Sequence, residues 1–239
     1  MIKKAVIVAA GLSSRLYPLT ESTPKPLLRI GDESILGRSL RLLAEAGVQS
    51  IGVVAGFKAE LIAEVCAGSA DVIANPFFRQ CNNMGSLWMS RDFVGDDPFI
   101  YLHGDVVYDE RLLLPFSSNE SAASVMDLLV DFKESDDEAM KVRTDAGSNL
   151  IESSKSIALD DASGEWIGIA AIHQPQLVFN AIERHLMTES LTDYDTAAFT
   201  TIARDGAVVR CIPTDGMKWR EIDDTADLES ARDMFSARV

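Results

Sequence analysis

The segment that most constrains the fold is an apolar run near the N-terminus that leads directly into a loop of small residues. Residues 5–8 read Ala-Val-Ile-Val, and residues 9–14 read Ala-Ala-Gly-Leu-Ser-Ser, followed by Arg15. A short apolar run that ends in small residues is typical of a buried strand opening into a loop. Small residues let backbone N–H groups approach phosphate oxygens, and the Arg15 guanidinium adds donors. The pattern predicts a phosphate-binding loop after the first strand.

A lysine between two prolines follows in the same segment, as Pro24-Lys25-Pro26. Proline disfavours helical geometry at the residue before it, so we expect Lys25 to lie on a stiff, extended segment. Its ammonium could then meet the same phosphates as Arg15. The alternative interpretation is a surface loop in which the arginine and the lysine are simply solvated.

Composition excludes several classes of protein. The chain has 239 residues and a net charge of −15, which argues against nucleic acid or an anionic membrane as the main partner. No apolar run approaches the ~18 residues of a membrane-spanning helix. Cys66, Cys81 and Cys211 are far apart and form no Cys-x-x-Cys motif. The sequence therefore predicts a reduced, cytoplasmic protein.

Strand and helix patterns alternate through the first half of the chain. Such alternation implies parallel crossover connections and a Rossmann-like α/β sheet, in which ligands lie outside the carboxyl ends of the strands. Either Asn83 or Ser86 is expected to cap a helix. The other predicted elements of this half are strands at about 3–9, 51–55, 71–74 and 99–103 and helices at 34–46 and 58–66.

The second half is richer in strands, and no Gly-, Pro- or Ser-rich linker separates it from the first. Residues 1–239 are therefore predicted to form a single domain. The charge run at 134–138 is predicted to be a solvated loop. The predicted elements are strands at 122–131, 139–144, 148–153 and 165–173 and helices at about 175–189, 194–204 and 225–236.

Carboxylates follow two of these segments. Asp105 comes after an apolar strand and Gly104, which places it at the same sheet edge as the phosphate loop. Near the C-terminus, strand alternation puts Glu221 and Asp223 on one face. Asp224 or Thr225 can instead cap the final helix. Carboxylates of this kind suit Mg²⁺, although Asp105 could also be a turn or cap residue.

Together these segments resemble the signature of the sugar-1-phosphate nucleotidyltransferase superfamily, whose usual form is Gly-x-Gly-Thr-Arg followed by Pro-Lys-Pro. Ser13-Ser14 stand where Gly-Thr is commonest, which favours cytidylyl or guanylyl transfer over thymidylyl transfer. The resemblance implies a Rossmann-like three-layer sandwich with a mixed, mostly parallel sheet of the nucleotide-diphospho-sugar transferase type. It also implies catalytic roles for Arg15 and Lys25, and Mg²⁺ bound by Asp105 and Asp223, with Asp223 favoured over Asp224.

Further segments resemble the phosphocholine cytidylyltransferase-like subgroup, so that the likeness covers nearly the whole chain. They are Asn82-Asn83-Met84-Gly85-Ser86-Leu87, residues 137–142, Ser153-Ser154-Lys155 and residues 164–169. The first of these resembles a base-reading turn, and a simple helix cap is the alternative. The nucleotide-binding residues implied are Ala9, Ala10, Gly11, Ser13, Ser14, Gly56, Asn82, Gly85 and Ser86.

The subgroup also implies residues that contact the second substrate. Lys141 and Lys155 can reach its phosphate, and Glu165 or Asp131 can pair with a cationic head group. For each lysine, a surface position is the alternative. Aromatic side chains that could form a wall for a quaternary amine, or could equally pack in the core, are Trp88, Trp166, Tyr194 and Trp219.

The resemblance thus implies a Mg²⁺-dependent enzyme that joins CTP to a small phosphorylated alcohol or phosphonate, of the phosphocholine or 2-aminoethylphosphonate type, and releases pyrophosphate. Residues of about 1–120 are expected to bind the nucleotide and residues of about 121–239 the acceptor. A uridylyl- or thymidylyltransferase acting on a sugar 1-phosphate and a nucleotide-binding sensor without activity remain alternatives. The acceptor and the oligomeric state stay open, a homodimer included.

Overall fold

A mixed β-sheet runs through the molecule. The structure, a computed structural model, describes residues 2–117, 124–133, 135–188 and 191–235. The strands, in chain order, are β1 (Lys4–Ala9), β2 (Arg29–Ile30), β3 (Glu33–Ser34), β4 (Ser50–Ala55), β5 (Asp71–Ala74), β6 (Phe99–His103), β7 (Val106–Tyr108), β8 (Met126–Asp131), β9 (Lys141–Thr144), β10 (Leu150–Ser154), β11 (Gly164–Ile172), β12 (Val209–Pro213) and β13 (Trp219–Glu221).

The large sheet has the strand order β10-β9-β11-β6-β1-β4-β5, with β8 paired to both β11 and β12. Strands β6, β1, β4 and β5 pair in parallel, whereas β11 is antiparallel to β6, β8 and β9. The carboxyl ends of the parallel strands therefore share one edge. The small-residue loop after β1 and Asp105 after β6 both lie at that edge, as the strand pattern predicts.

Helices cover both faces of this sheet. They are α1 (Ile35–Glu45), α2 (Ala59–Cys66), α3 (Asn83–Met89), α4 (Arg91–Val94), α5 (Pro175–Thr188), α6 (Asp195–Arg204) and α7 (Thr225–Phe235). Apolar side chains of α1 and α2 pack on one face, and those of α3, α5 and α6 pack on the other. The predicted three-layer, Rossmann-like α/β architecture is confirmed. Among the described residues, no helix is long and apolar enough to cross a membrane.

The cap of helix α3 differs from the prediction. Asn82, and neither Asn83 nor Ser86, precedes the helix in an extended conformation, and its side chain accepts a hydrogen bond from the Asn83 N–H at 2.9 Å. The Ser86 hydroxyl is buried and accepts a hydrogen bond from Asn75 at 2.9 Å. Asn82 therefore caps the helix one residue before Asn83, and Ser86 lies inside the helix with an internal partner.

The segment around Lys25 also differs from the prediction. Lys25–Leu27 form a 3-10 turn, where an extended segment was expected. The N–H of Leu27 donates to the carbonyl of Pro24 at 2.8 Å, and that of Leu28 donates to the carbonyl of Lys25 at 3.0 Å. Pro26 is tolerated because the first residues of a helical turn need no N–H donor. The prolines still restrict the backbone, but they do so in a turn.

A short antiparallel pair brings the two ends of the site together. Strand β13 pairs with β7, so that Glu221 lies opposite Val106, and the Ile222 N–H donates to the carbonyl of Asp105 at 3.0 Å. Val107 and Ile222 are buried in a small apolar cluster beneath this pair. The sequence patterns missed β2, β3, β7 and β13, because strands of two or three residues are too short to show a period, and they also missed β12.

The predicted charge run forms an exposed loop where the structure describes it. Asp136, Asp137 and Glu138 are exposed, whereas Glu134 lies outside the described residues. The predicted start of the strand at 122 also lies outside them, and the strand begins at Met126.

Candidate active site

Three carboxylates converge where β6 and β13 end. Asp105, Glu221 and Asp223 each offer an oxygen, and these oxygens lie within 4.8 Å of one another. We call this group the carboxylate cluster. Gly104 lets the chain pass close to β1, because a Cβ there would lie 2.8 Å from the carbonyl oxygen of Val8. Asp224 lies outside the cluster and caps α7 by accepting from the N–H groups of the first turn.

Two cations lie against the carboxylate cluster. The Lys25 ammonium is 2.7 Å from Asp105 Oδ2 and 3.2 Å from Asp223 Oδ1. Arg15 Nη2 is 2.9 Å from the same Asp223 oxygen. Burial lowers the pKa of Lys25, but the charges of Asp105 and Asp223 outweigh burial and raise it above its ordinary value. Burial raises the pKa of Asp105. The charges of Lys25 and His103 outweigh burial and hold this pKa below its ordinary value, so the Asp105 carboxyl group is ionised.

Glu221 is the least compensated member of the cluster. Its carboxylate makes no hydrogen bond or ion pair with any of the described residues. Burial, followed by repulsion from Asp105 and Asp223, raises the pKa of Glu221 to about 7. The cluster can therefore accept more positive charge than Lys25 and Arg15 provide.

A cavity of about 340 Å³ opens beside the cluster, and we call it the loop cavity. One wall is the small-residue loop, in which Ser13 has a left-handed backbone (φ 53°). That conformation is easiest for glycine, which explains why glycine is the commoner residue at this position in the signature. Residues that line the cavity include Gly11, Ser13, Ser14, Arg15, Asn82, Asn83, Ser86, His103, Lys155, Trp166, Gly168 and Tyr194.

A second cavity, of about 800 Å³, meets the first at Arg15, Glu221 and Asp223. Acidic side chains dominate its lining, and we call it the acidic cavity. Asp131 in this lining already has partners, because it accepts hydrogen bonds from Trp219 Nε1 at 2.9 Å and Lys133 Nζ at 3.0 Å. The carboxylate cluster thus lies between two cavities of different character.

Glu165 in the acidic cavity lacks such partners. It lies on β11 directly opposite Asp131 on β8, and its carboxylate makes no hydrogen bond or ion pair within the described part of the chain. Burial raises the pKa of Glu165 to about 7, with further contributions from the charges of Asp136 and Asp131. A partly buried carboxylate next to a second one is a suitable partner for a cationic ligand.

Residues 4–139 match the model of the family described as Nucleotidyl transferase. The chain belongs to this family. The matched residues run from β1 through the small-residue loop, Lys25 and Asp105 to the loop that carries Glu138. They therefore include the loop cavity's first wall and most of the charged groups around the carboxylate cluster.

Curated relatives of this chain include two enzymes named for phosphonates. The chain is 27% identical to CMP-5'-(3-aminopropyl)phosphonate synthase of Streptomyces rubellomurinus, over 98% of this chain and 39% of that protein. It is 31% identical to 2-aminoethylphosphonate cytidylyltransferase of Lancefieldella rimae, over 46% of each. The chain spans less than half the length of these relatives.

Solved structures support the same fold. A CTP:phosphocholine cytidylyltransferase from Streptococcus pneumoniae superposes with a TM-score of 0.80 at 17% identity, covering 98% of this chain and 99% of that one. An inositol-1-phosphate CTP transferase from T. maritima superposes with a TM-score of 0.82 at 20% identity, covering 100% and 98%. At this level of identity the match concerns the fold alone.

Most predicted site residues of the transferase line a cavity, but three predicted nucleotide contacts do not. Ala9 is buried in the core. A Cβ at Gly56 would lie 2.5 Å from Phe78 Cβ, and a Cβ at Gly85 would lie 2.7 Å from Cys81 Cβ. These two glycines permit close packing of cavity-lining neighbours and do not line the cavity themselves. The predicted residues that line the loop cavity are Ala10, Gly11, Ser13, Ser14, Arg15, Lys25, Asn82, Ser86, Asp105, Lys155 and Asp223.

The structure corrects the position expected for Lys141. Its side chain is fully buried, and its ammonium donates to the carbonyls of Asp136 and Asp137 at 3.3 and 3.1 Å. It lines neither cavity. Lys141 therefore anchors the exposed loop, and Lys155 is the predicted lysine that reaches the loop cavity. Strand alternation could not separate these two roles, because it says nothing about which loop folds over a side chain.

The other predicted acceptor contacts divide between the cavities. Asp131, Glu165 and Trp219 line the acidic cavity, while Trp166 and Tyr194 line the loop cavity. Trp88 lines neither and packs against the core, with the Arg91 guanidinium 4.6 Å from its ring centre.

Sequence reasoning missed a polar network at the back of the loop cavity. His103 Nε2 lies 3.0 Å from Asp195 Oδ2, and the Tyr101 hydroxyl donates to the same oxygen at 2.6 Å. Burial lowers the pKa of His103, but the charge of Asp195 outweighs burial and raises it to about 9. The only sequence signal was a histidine directly before Gly104-Asp105, since Asp195 is remote in the chain.

The His103 ring lies in a closely fitted slot. Gly168 has a φ of 78°, and a Cβ there would lie 2.9–3.1 Å from Nδ1, Cγ and Cβ of His103. The Trp166 ring meets His103 edge-on, with centroids 4.8 Å apart. The slot therefore fixes the imidazole against the cavity.

Proposed function

We propose that this nucleotidyltransferase transfers CMP from CTP to a small phosphorylated alcohol or phosphonate, with Mg²⁺ as its metal and pyrophosphate as the second product. The observation that carries the proposal is the position of the carboxylate cluster, with Lys25 and Arg15, where the loop cavity meets the acidic cavity. Two substrates placed in the two cavities would meet at these charges.

The residues present fit Mg²⁺. A hard dication takes oxygen ligands, and the carboxylate cluster offers three carboxylates whose oxygens lie within 4.8 Å of one another. Glu221 has no cationic partner in the described part of the protein, which leaves negative charge for the metal. Asp105, Asp223 and Glu221 would hold Mg²⁺. When bound there, Mg²⁺ neutralises phosphate charge and orients the phosphates.

The chain's own residues would act by positioning and charge. An acceptor phosphate or phosphonate oxygen attacks the α-phosphorus, a new P–O bond forms, and the bond to pyrophosphate breaks. The attacking oxygen is already anionic near neutral pH, so no general base is required. Arg15 and the small-residue loop would hold the β- and γ-phosphates, while Lys25 would stabilise charge at the α-phosphate.

Support for cytidine as the base comes from the CMP-forming and cytidylyl-transferring enzymes among the relatives and from the start of α3. Asn82 and Ser86 line the loop cavity at the turn that resembles a base-reading motif. Their amide and hydroxyl groups can pair with a pyrimidine edge. On this basis residues of about 1–120 would bind the nucleotide, and the acceptor would lie against residues of about 121–239.

The acceptor's charge would be read in the acidic cavity. We assign Glu165 to a cationic head group, because Asp131 already accepts from Trp219 and Lys133. Trp219 is the only aromatic side chain described in the lining of this cavity, and one ring does not make an aromatic cage for a quaternary amine. A protonated primary amine, which donates hydrogen bonds to a carboxylate, fits better. Lys155, at the loop cavity, would meet the acceptor phosphate.

We further expect the enzyme to act in a reducing, cytoplasmic compartment, since Cys66, Cys81 and Cys211 are all free thiols. A homodimer stays a prediction.

The test is pyrophosphate release with Mg²⁺, in which CTP, UTP, dTTP, ATP and GTP are crossed with 2-aminoethylphosphonate, phosphocholine and glucose 1-phosphate. We expect release with CTP and 2-aminoethylphosphonate, and less with phosphocholine. Release with glucose 1-phosphate and UTP or dTTP would keep the chemistry but overturn the proposed substrates. Nucleotide binding without release for any pair would favour a sensor.

A further inference from the structure

Lys25 occupies the place among the carboxylates that a divalent cation would need. Its ammonium contacts Asp105 at 2.7 Å and Asp223 at 3.2 Å, and these are two of the three residues of the carboxylate cluster. Arg15 contacts the same Asp223 oxygen at 2.9 Å. The cluster is therefore already engaged by two cationic side chains of the protein itself.

Lys25 and Arg15 weaken the attraction of the carboxylate cluster for a metal, although Glu221 keeps no cationic partner among the described residues. The three carboxylates carry up to three negative charges, and the positive charges of Lys25 and Arg15 neutralise two of them. A divalent cation placed in the cluster beside the Lys25 ammonium would meet strong repulsion, because Lys25 is buried and its charge is poorly screened there. Metal binding therefore requires Lys25 to leave at least one of its two carboxylates.

The geometry allows that movement only in the side chain. Pro24 and Pro26 restrict the backbone, and the 3-10 turn Lys25–Leu27 is closed by two hydrogen bonds. The Lys25 side chain lines the loop cavity, into which nucleotide phosphates would come. A phosphate there offers the ammonium a new anionic partner as it leaves the carboxylates.

We propose that Lys25 acts as an internal cation that blocks the carboxylate cluster until nucleotide phosphates bind it, so that metal and nucleotide bind with positive coupling. The inference rests on the proposed function for the identity of the nucleotide. It assigns Lys25 a positioning role before the reaction, in addition to its role at the α-phosphate. Coupling of this kind is reciprocal, so the nucleotide should favour the metal as much as the metal favours the nucleotide.

The experiment measures Mn²⁺ binding to the protein without nucleotide. Isothermal titration gives the affinity, and the electron paramagnetic resonance signal of free Mn²⁺ gives it independently. We expect Lys25→Met to bind Mn²⁺ at least about tenfold more tightly than wild type, within the usual range of coupling between sites. Lys25→Arg keeps the cation and should stay within about twofold of wild type. Lys155→Met is the matched control, because it removes a positive charge from the same cavity without contacting the carboxylate cluster.

Thermal melts provide a second readout if Lys25→Met is poorly folded. Removing one partner of a buried ion pair is destabilising, and a cation that replaces the ammonium should restore stability. Mn²⁺ should therefore raise the melting temperature of Lys25→Met more than that of wild type. Equal shifts, equal affinities, or equal tightening in Lys155→Met would each overturn the proposal. Pyrophosphate release by wild type tests the proposed function separately, since the Mn²⁺ titration needs no turnover.

Discussion

The two cavities differ in whether the charged groups proposed to act there have partners within the protein. At the loop cavity, the cations Lys25 and Arg15 are both paired with carboxylates of the protein. At the acidic cavity, Glu165 has no described ion pair, although it lies beside Asp131. The two cations proposed to act on the phosphates thus have internal partners, whereas the carboxylate proposed to recognise the acceptor has none among the described residues. The comparison separates residues that should change turnover from residues that should change substrate choice.

Lys25→Ala is the variant for which we expect the largest effect, and it tests whether Lys25 belongs to the residues that change turnover. If Lys25 stabilises charge at the α-phosphate, turnover should fall by about 10²–10³-fold, as is typical when one oriented donor is lost. Nucleotide affinity should fall much less. Steady-state kinetics and nucleotide titration measure the two quantities, and a variant with near-normal turnover would contradict the role.

Gly168→Ala tests the slot that holds His103 at the back of the loop cavity. The new Cβ would meet the His103 ring, and φ would stay positive, so we expect a loss of about 1–3 kcal/mol in unfolding free energy. Gly206→Ala is the control for backbone strain alone, because its φ is 88° and no atom lies within 4 Å of the added Cβ. Chemical denaturation of both variants isolates the contact with His103. Equal losses in the two variants would show that the slot around the imidazole is not close-fitting.

Glu165→Gln tests whether the Glu165 carboxylate recognises the cationic group of the acceptor. Losing the carboxylate should raise KM for 2-aminoethylphosphonate by about tenfold, with little change in kcat. A tenfold loss of affinity corresponds to the loss of one charge-assisted hydrogen bond. The variant should no longer prefer 2-aminoethylphosphonate over ethylphosphonate, which is the same phosphonate without the amine. Glu138→Gln, an exposed acid in the same cavity lining, should alter KM by no more than about twofold. A fall in kcat with unchanged KM would instead place Glu165 with the reacting groups.

The smallest effect concerns pH and stability. The pKa of Glu165 is about 7 in the folded protein against an ordinary value of 4.5. The folded state therefore holds the proton to higher pH, and the stability that the protonated group provides below pH 4.5 is lost as pH rises to 7. Relative to Glu165→Gln, wild type should lose about 1–2 kcal/mol over that window, a value reduced for the partial exposure of the side chain. Urea denaturation of both proteins at pH 4.5 and 8 measures the difference, and a constant difference would contradict the burial argument.

The same contrast explains what could be predicted from the sequence. One wall of the loop cavity is a single continuous segment, so Arg15 and Lys25 were recognisable from spacing, and Asp105 followed from the end of an apolar strand. Elements with a clear apolar pattern, such as α1 and β6, were predicted with nearly the observed bounds. Features that depend on remote contacts were not accessible, because no local pattern reports them. The carbonyl partners of Lys141, the pairing of His103 with Asp195, and the β7–β13 pair that brings Glu221 to Asp105 are of this kind.

The most direct test of the central claim is ³¹P nuclear magnetic resonance of a reaction containing the protein, Mg²⁺, CTP and 2-aminoethylphosphonate. The account predicts a new phosphonate–phosphate anhydride signal that grows together with pyrophosphate in equal amounts. Pyrophosphate accompanied by free CMP, with the phosphonate signal unchanged, would contradict transfer to the acceptor.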